Sequence, residues 1–301
     1  MGGNRLVMKF SLVLATVGRC EEVRSFLTSL LDQSCQDFEV IVADQNKSSE
    51  VEDLCREYSA RMQIKHLRIE RLGLSHARNV GLRVASGDVL AFPDDDCEYP
   101  GELLSKVREQ FAANPRVHGI TGVSRDKCTG RLSGGRFDSS GGVITSHNVW
   151  RRHISSSMFL RRELVQSVGT FDEQLGVGAT FGSGEETDFL LRVLRNGSVV
   201  WYDPDLVVYH PNPVPTYDQR AIARAYSYGL GAGAVFRKHI CGYRALDVLP
   251  QAVSQMIRPL VAALAYAPVS IGRSRCYLAS WRGRVAGFVY YPVAGGQGEL
   301  A

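Results

Sequence analysis

The sequence has no CxxC pair, and its seven cysteines, at 20, 35, 55, 97, 128, 241 and 276, lack any spacing typical of a zinc site. An odd number of unpaired cysteines argues against a disulfide framework and for free thiols in a reducing compartment. No GxGxxG run follows the first apolar stretch, where only Gly18 stands, which disfavours a dinucleotide-binding oxidoreductase. The N-terminal apolar run is about eight residues long and interrupted by Ser11 and Thr16, so it reads as a first strand and not as a secretory signal. Nowhere does an uncharged apolar run reach the roughly 20 residues needed to span a bilayer. The longest such piece in the tail, Pro259 to Gly272, has about 14. Internal repeats and low-complexity segments are also absent.

What is present is a 301-residue chain with 45% apolar residues, enough for a proper core, and a formal net charge of only +4. That charge is unevenly placed. From Gln219 onward ten Lys and Arg face two acids, a net +8, while the first 218 residues hold 25 basic against 29 acidic side chains, a net −4. A basic tail on an acidic body points to an anionic surface as its partner, either nucleic acid or phospholipid. The tail carries no recognisable nucleic-acid-binding motif, so nucleic acid is not expected.

Apolar β-type runs alternate with helix-period stretches through the first 113 residues. Strands are expected at Phe10 to Leu14, Phe38 to Ala43, Ile64 to Ile69 and Val89 to Phe92. Helices are expected at Cys20 to Leu31, Ser49 to Arg61, Ser75 to Ala85 and Gly101 to Ala113. This βαβα succession predicts an α/β fold with a mostly parallel sheet covered by helices. The alternation fails near Val143. Beyond it, Thr187 to Leu194 and Tyr217 to His239 are expected to be helical, and Ser198 to Tyr202 and Leu206 to Tyr209 extended.

In open α/β sheets ligands bind outside the carboxyl ends of the strands. Three separate segments place polar groups there: Thr16 to Arg19, Asp44, and the cluster Asp94, Asp95, Asp96 that follows Val89 to Phe92. Closely spaced carboxylates on a loop suit a hard divalent cation, Mn²⁺ or Mg²⁺, which prefers oxygen ligands and shares its shell with substrate phosphates. A solvated acidic turn or a helix cap is the plainer alternative. Likewise Glu185, Glu186 and Asp188 also suit the N-terminal turn of the helix they begin, and Asp44 beside Asn46 also suits a turn. Cys97, with no base nearby in sequence, reads as packing.

The stretch GLSHARNVGLRVASGDVLAFPDDDC (73–97) resembles the nucleotide-sugar-binding half of family 2 glycosyltransferases of the GT-A fold. Those proteins carry A-R-N-x-G, then A-x-G-D, before an Asp-x-Asp motif. The likeness extends from about residue 9 to 212 through Thr16-Val17-Gly18-Arg19, Asp44, Gly169 to Glu173, the acidic segment GEETDFLLR and Tyr209-His210. The resemblance implies that Asp94, Asp95 and Asp96 meet the donor and its metal, with Asp96, Asp94 and His210 as metal ligands. It implies that Thr16, Arg19 and Arg78 approach the donor and that Asp44 meets the N3–H of a uracil or thymine, so that a UDP or dTDP sugar is expected. The catalytic base of an inverting enzyme falls on Glu186 or on Asp188.

The implied layout is a GT-A catalytic domain over 1–215, with a nucleotide-sugar-binding half at 9–125 and an acceptor half at 126–215. A basic amphipathic helical extension over 216–301 is expected to lie on a membrane surface; the plainer alternative is a helical subdomain packed on the catalytic body. The segment YSYGLGAGAVFRKH (226–239) resembles a glycine-rich helix of bacterial surface-polysaccharide transferases and implies a lipid-linked saccharide acceptor at the cytoplasmic face of the membrane. No Q-x-x-R-W motif is present, which disfavours a processive polysaccharide synthase. The alternatives are a sugar-phosphate nucleotidyltransferase, for which the ATVGRC turn is a poor phosphate loop, and a catalytically inactive sugar-nucleotide-binding scaffold.

Overall fold

The structure of the protein, a computed structural model, describes residues 8–212 and 216–293. It divides into two compact units, one formed by residues up to 170 together with 192–213, the other by 171–191 with the C-terminal residues from 214 onward.

The first unit is built on one eight-stranded sheet in the order β3-β2-β1-β4-β7-β5-β8-β6. β1 (Phe10–Thr16), β2 (Phe38–Asp44), β3 (Gln63–Arg68) and β4 (Val89–Ala91) are mutually parallel, as the alternating pattern predicts. Every residue of β1 and β2 is buried, because a central parallel strand is covered on both faces. The covering helices are α1 (Cys20–Leu31), α2 (Glu50–Tyr58), α3 (Leu74–Val84) and α4 (Leu103–Ala113). α1 has the bounds expected from its apolar spacing, with Val23, Phe26, Leu27 and Leu30 turned into the core. Pairing of Thr16 with Asp44 across β1 and β2 sets two candidate site residues at one sheet edge. Gly87, in the turn before β4, lies so close to β1 that a Cβ there would meet the Phe10 and Ser11 backbone at 2.6 Å. That contact keeps β4 beside β1 and directs its aspartate-bearing end to the same edge.

Beyond β4 the sheet becomes mixed. β5 (Gly119–Arg125) and β7 (Met158–Arg161) were not signalled by the sequence pattern, since β5 is rich in Gly, Ser and Thr and β7 has four residues. β7 runs antiparallel to both β4 and β5, and the short α5 (Arg162–Val168) follows it. β8 (Val200–Tyr209) joins the two extended pieces expected around Asp203 into one strand, parallel to β5. β6 (Gly142–Val143) closes that edge. The largest apolar cluster, which includes Phe10, Leu12, Phe26, Val40 and Phe159, lies in this unit.

The second unit contains the first turns of α6 (Glu185–Arg195) and the helices α7 (Gln219–Arg237), α8 (Leu249–Tyr266) and α9 (Ile271–Tyr290). α7 continues through a π-helical turn, Lys238–Gly242. α7 and α9 touch backbone to backbone. A Cβ on Gly229 or Gly233 would strike the carbonyl oxygens of Ser280 and Arg284, and one on Gly283 or Gly287 those of Tyr226 and Leu230. Small residues four apart on both helices permit this approach, as in tightly packed helix pairs generally. Among the described residues, one helical stretch, Leu246–Tyr266, is long and apolar enough to cross a membrane by length and composition, and it contains Arg258 and Pro259.

Candidate active site

At the carboxyl edge of β1, β2 and β4, the structure gathers the three polar segments and links the first, through Thr16 and Arg19, to Asp95 and Asp96. Thr16 Oγ1 donates to Asp95 Oδ2 at 2.9 Å, and Arg19 Nη1 reaches both Asp95 Oδ1 (2.9 Å) and Asp96 Oδ2 (2.7 Å). The arginine's pKa is raised: burial works against this, and the charges of Asp95 and Asp96 outweigh it. Asp95 itself is buried, and that burial raises its pKa although Arg19 and Thr16 oppose the shift.

His210, at the end of β8, faces Asp96 with Nε2 3.2 Å from Oδ1. Its other ring nitrogen, Nδ1, is 2.8 Å from the Pro211 carbonyl oxygen and 3.2 Å from Ser133 Oγ. A carbonyl only accepts, so Nδ1 carries the proton and donates to it. Nε2 then needs either a second proton or a cation between itself and the carboxylate. Without a metal it is the proton. Burial alone lowers the His210 pKa, but the hydrogen bond and charge of Asp96 outweigh burial and raise it. Asp96 mirrors this, with burial pushing up and His210 and Arg19 together pulling its pKa below the ordinary value.

A histidine that gives one N–H to a backbone carbonyl and points the other nitrogen at a carboxylate has the arrangement of a metal-ligating histidine. Asp96 and His210 therefore fit a divalent cation. Among the described residues no group of three or more His, Cys, Asp or Glu is gathered for one. A hard cation that completes its shell with water and substrate phosphates needs only one or two protein ligands. Asp94, expected as a further ligand, is turned elsewhere: Arg78 Nη2 donates to its Oδ1 at 3.0 Å, and Ser155 Oγ lies 3.2 and 3.3 Å from its two oxygens.

Several expected contact residues are frame residues in the structure. Arg78 is completely buried, so it holds Asp94 and does not project toward a donor. Asp44 is also completely buried. Asn46 donates to its Oδ1 from N and Nδ2, both at 2.8 Å, while His66 Nε2 (2.8 Å) and Arg68 Nη1 (3.3 Å) meet its Oδ2. This differs from the expected carboxylate open to a base N3–H. Asn46 Oδ1 in turn accepts from Gly18 N at 2.5 Å, so Asp44 organises the loop after β1. Thr16 and Asp95 are likewise enclosed. The accessible groups at this edge are Arg19, with 47% of its side chain exposed, Asp94 (25%), and Asp96 and His210 (21% each). His66, Arg68, Ser133 and Ser155 were missed by sequence reasoning. His66 and Arg68 lie on β3, Ser133 and Ser155 in two further segments, and no local pattern marks them.

Glu186 and Asp188 both lie in the first turn of α6, in the second unit. Asp188 is completely buried and paired with Lys238 Nζ at 3.0 Å and His239 Nε2 at 2.9 Å. An acid so enclosed and paired is not available to take a proton from a substrate, which corrects its candidacy as base. Glu186 is half-buried. Cys97 is buried in the main core and its thiol pKa is pushed up by burial, in keeping with a packing role. All seven cysteines are free thiols.

Comparison with known proteins gives the same direction. Residues 11–168, more than half of the chain, match the model of the family described as Glycosyl transferase family 2. Glycosyltransferase AglE of Haloferax volcanii is 24% identical over 67% of this chain and 66% of its own length. The chondroitin synthase of Escherichia coli is 35% identical over 67% of this chain but only 34% of its own length. The chain thus spans about two thirds or less of the length of these curated relatives. Among solved structures, the mannosyltransferase PcManGT of Pyrobaculum calidifontis, in complex with GDP-Man and Mn²⁺, matches 92% of this chain and 87% of its own, with a TM-score of 0.63 and 18% identity. TarS of S. aureus in complex with UDP-GlcNAc matches with a TM-score of 0.59 and 16% identity, over 94% of this chain and 91% of its own. At such identities these structures establish the shared fold, which is the expected GT-A arrangement.

Proposed function

Starting from a chain that belongs to glycosyl transferase family 2 and is a glycosyltransferase, we propose that it transfers a sugar, with inversion, from a nucleoside-diphosphate donor to a saccharide acceptor, using Mn²⁺ or Mg²⁺. The observation that carries this reading is the facing of His210 Nε2 and Asp96 Oδ1 across 3.2 Å, with Nδ1 committed to Pro211. Asp96 and His210 hold the cation, which when bound offsets the negative charge that grows on the departing diphosphate. Arg19, half-exposed and hinged on Asp95, adds a second positive charge at the same edge. Arg78 and Ser155 hold Asp94 with its remaining exposed surface turned out, where it accepts from a donor hydroxyl. Asp44 keeps Asn46 and the Gly18 turn in place for the base, but its enclosed carboxylate gives no preference for uracil or thymine, so nucleotide titration decides the donor's base. Glu186 takes the proton of the attacking acceptor hydroxyl.

We further read the second unit as the part that meets a membrane, at its cytoplasmic face in a bacterial cell, where a lipid-linked acceptor in surface-polysaccharide synthesis would be presented. Leu249, Val253, Ile257, Val261 and Leu264 recur every three or four residues along α8 and are all exposed. With the net charge of +8 from Gln219 onward, this composition suits an in-plane helix on anionic lipid. A relative named chondroitin synthase accords with a saccharide acceptor.

Titration calorimetry with UDP, dTDP, GDP and CDP, each with Mn²⁺ and with EDTA, tests the donor half of this reading. Metal-dependent binding of one nucleotide, abolished in Asp96→Ala, is expected; equal binding with EDTA would remove the metal from the scheme. Co-sedimentation with phosphatidylglycerol vesicles and with neutral phosphatidylcholine vesicles tests the membrane half, and binding to the anionic set alone is expected.

A further inference from the structure

Behind Glu186, the second unit contains a closed polar network that no step described so far uses. Lys238, at the start of the π-helical turn after α7, places Nζ 2.7 Å from Asp172 Oδ2 and 3.0 Å from Asp188 Oδ2. The next residue, His239, is completely buried and places Nε2 2.9 Å from the other oxygen of Asp188. Tyr291, just past α9, donates its hydroxyl to Asp172 Oδ2 and packs its ring on Phe181 at a centroid distance of 5.1 Å. Two segments are thereby tied at two points each: the loop from Phe171 to Ser183 through Asp172 and Phe181, and the start of α6 through Asp188 and through the tilted contact of Phe171 with Phe189 at 4.9 Å.

A third tie is made by the backbone. Ser183 Oγ donates to the Tyr228 carbonyl at 3.0 Å, and a Cβ on Gly231 would strike the Ser183 carbonyl. The glycines of α7 thus serve two neighbours, α9 through Gly229 and Gly233 and the approach to α6 through Gly231. The pKa directions agree with a locked network. Burial would raise the Asp172 pKa, but Lys238 and Tyr291 more than offset it and hold the group below its ordinary value.

We propose that Lys238, His239 and Tyr291 are positioning residues for sugar transfer: acting through Asp188 and Asp172, they hold the first turn of α6 so that Glu186 meets the acceptor hydroxyl. The C-terminal helices are then part of the catalytic apparatus as well as a membrane contact. This rests on the reading of Glu186 as the base. A base must be held within a fraction of an ångström of its working position, and small misplacements have large effects on rate.

The test compares the full chain with Lys238→Met, Tyr291→Phe and Glu186→Gln. Lys238→Met removes the cation shared by two carboxylates, so Tyr291→Phe, which removes one hydroxyl and keeps the ring on Phe181, serves as the milder probe. Hydrogen–deuterium exchange of the free protein, release of nucleoside diphosphate from a panel of UDP, dTDP and GDP sugars, and nucleotide Kd are measured in each. Both network variants are expected to exchange about tenfold faster across residues 183–191 and to lose about tenfold in kcat, with nucleotide Kd and donor KM within about twofold. Wild-type exchange and kcat in both variants would overturn the proposal, as would a fall in kcat matched by an equal weakening of nucleotide binding. Glu186→Gln separates the two readings: it should lose turnover while exchanging like wild type, and retained turnover there would sink the base assignment while leaving the exchange result standing on its own.

Discussion

Two sets of acidic side chains with much the same partners behave differently in this protein. At the sheet edge of the first unit, Asp94 and Asp96 face Arg19, Arg78 and His210 and keep 25% and 21% of their side chains exposed. Under the helices of the second unit, Asp172 and Asp188 face Lys238 and His239 and keep 14% and none. The difference is access. Where water and a ligand can reach the carboxylate, its cationic partner is exchangeable for a metal or a phosphate-bearing donor. Where they cannot, the pair is structural, because breaking it leaves an uncompensated buried charge. Both sets are aspartates facing cationic side chains, and Asp188 is a candidate on sequence as Asp94 and Asp96 are, so residue type alone does not separate them.

The comparison breaks most forcefully at Asp188. Replacing it by Ala removes the buried carboxylate shared by Lys238 and His239, and a loss of about 3–5 kcal/mol of stability is expected, read as a large fall in the denaturant midpoint. A change under about 1 kcal/mol would show that the second set is as exchangeable as the first. Asp96→Ala should invert that pattern: nearly unchanged thermal unfolding, but at least about a hundredfold loss of turnover with metal present, equivalent to roughly 3 kcal/mol. Unfolding at a much lower temperature would instead make Asp96 structural.

Glu39 sharpens the contrast from within the first unit, since it is completely buried in β2 and lies far from the sheet edge. Burial would raise its pKa, but hydrogen bonds from Ser11, Lys65 and Ser86 lower it from 4.5 to about 2. A depressed carboxylate stabilises the fold above its unfolded pKa, so its contribution is complete above about pH 4.5 and is lost as pH falls toward 2. Over that window the wild type should lose about 3 kcal/mol that Glu39→Gln does not, measured by urea unfolding at several pH values. Parallel pH curves for the two proteins would contradict the assignment. The smallest effect belongs to Lys127, whose pair with Glu98 at 2.6 Å is 60% exposed at the lysine. Lys127→Ala should change stability by less than about 0.5 kcal/mol; a larger change would mean that exposure is not what separates the two classes.

Much of the first unit was legible because its signals are local. The apolar spacing of α1, the runs of β1 and β2, and the strand-end position of Asp94 to Asp96 each lie within one short segment. β5 and β7 were not legible, since a Gly- and Ser-rich strand and a four-residue strand have little periodicity and are held by their neighbours in the sheet. The same limit applied to the site. Asp96 and His210 stood out by motif, but their pairing, the hold of Ser155 and Arg78 on Asp94, and the enclosure of Asp44 by His66, Arg68 and Asn46 join residues far apart in the chain.

By itself, the order of residues determined the family, the alternating α/β half and the edge at which the acids gather, because hydrophobic period and strand-end chemistry act over a few neighbouring residues. Only the tertiary structure decided which acids remain open and which are sealed. Burial and pairing depend on what packs over a side chain. For Asp188 that cover comes from Lys238 and His239, some fifty positions further along the chain.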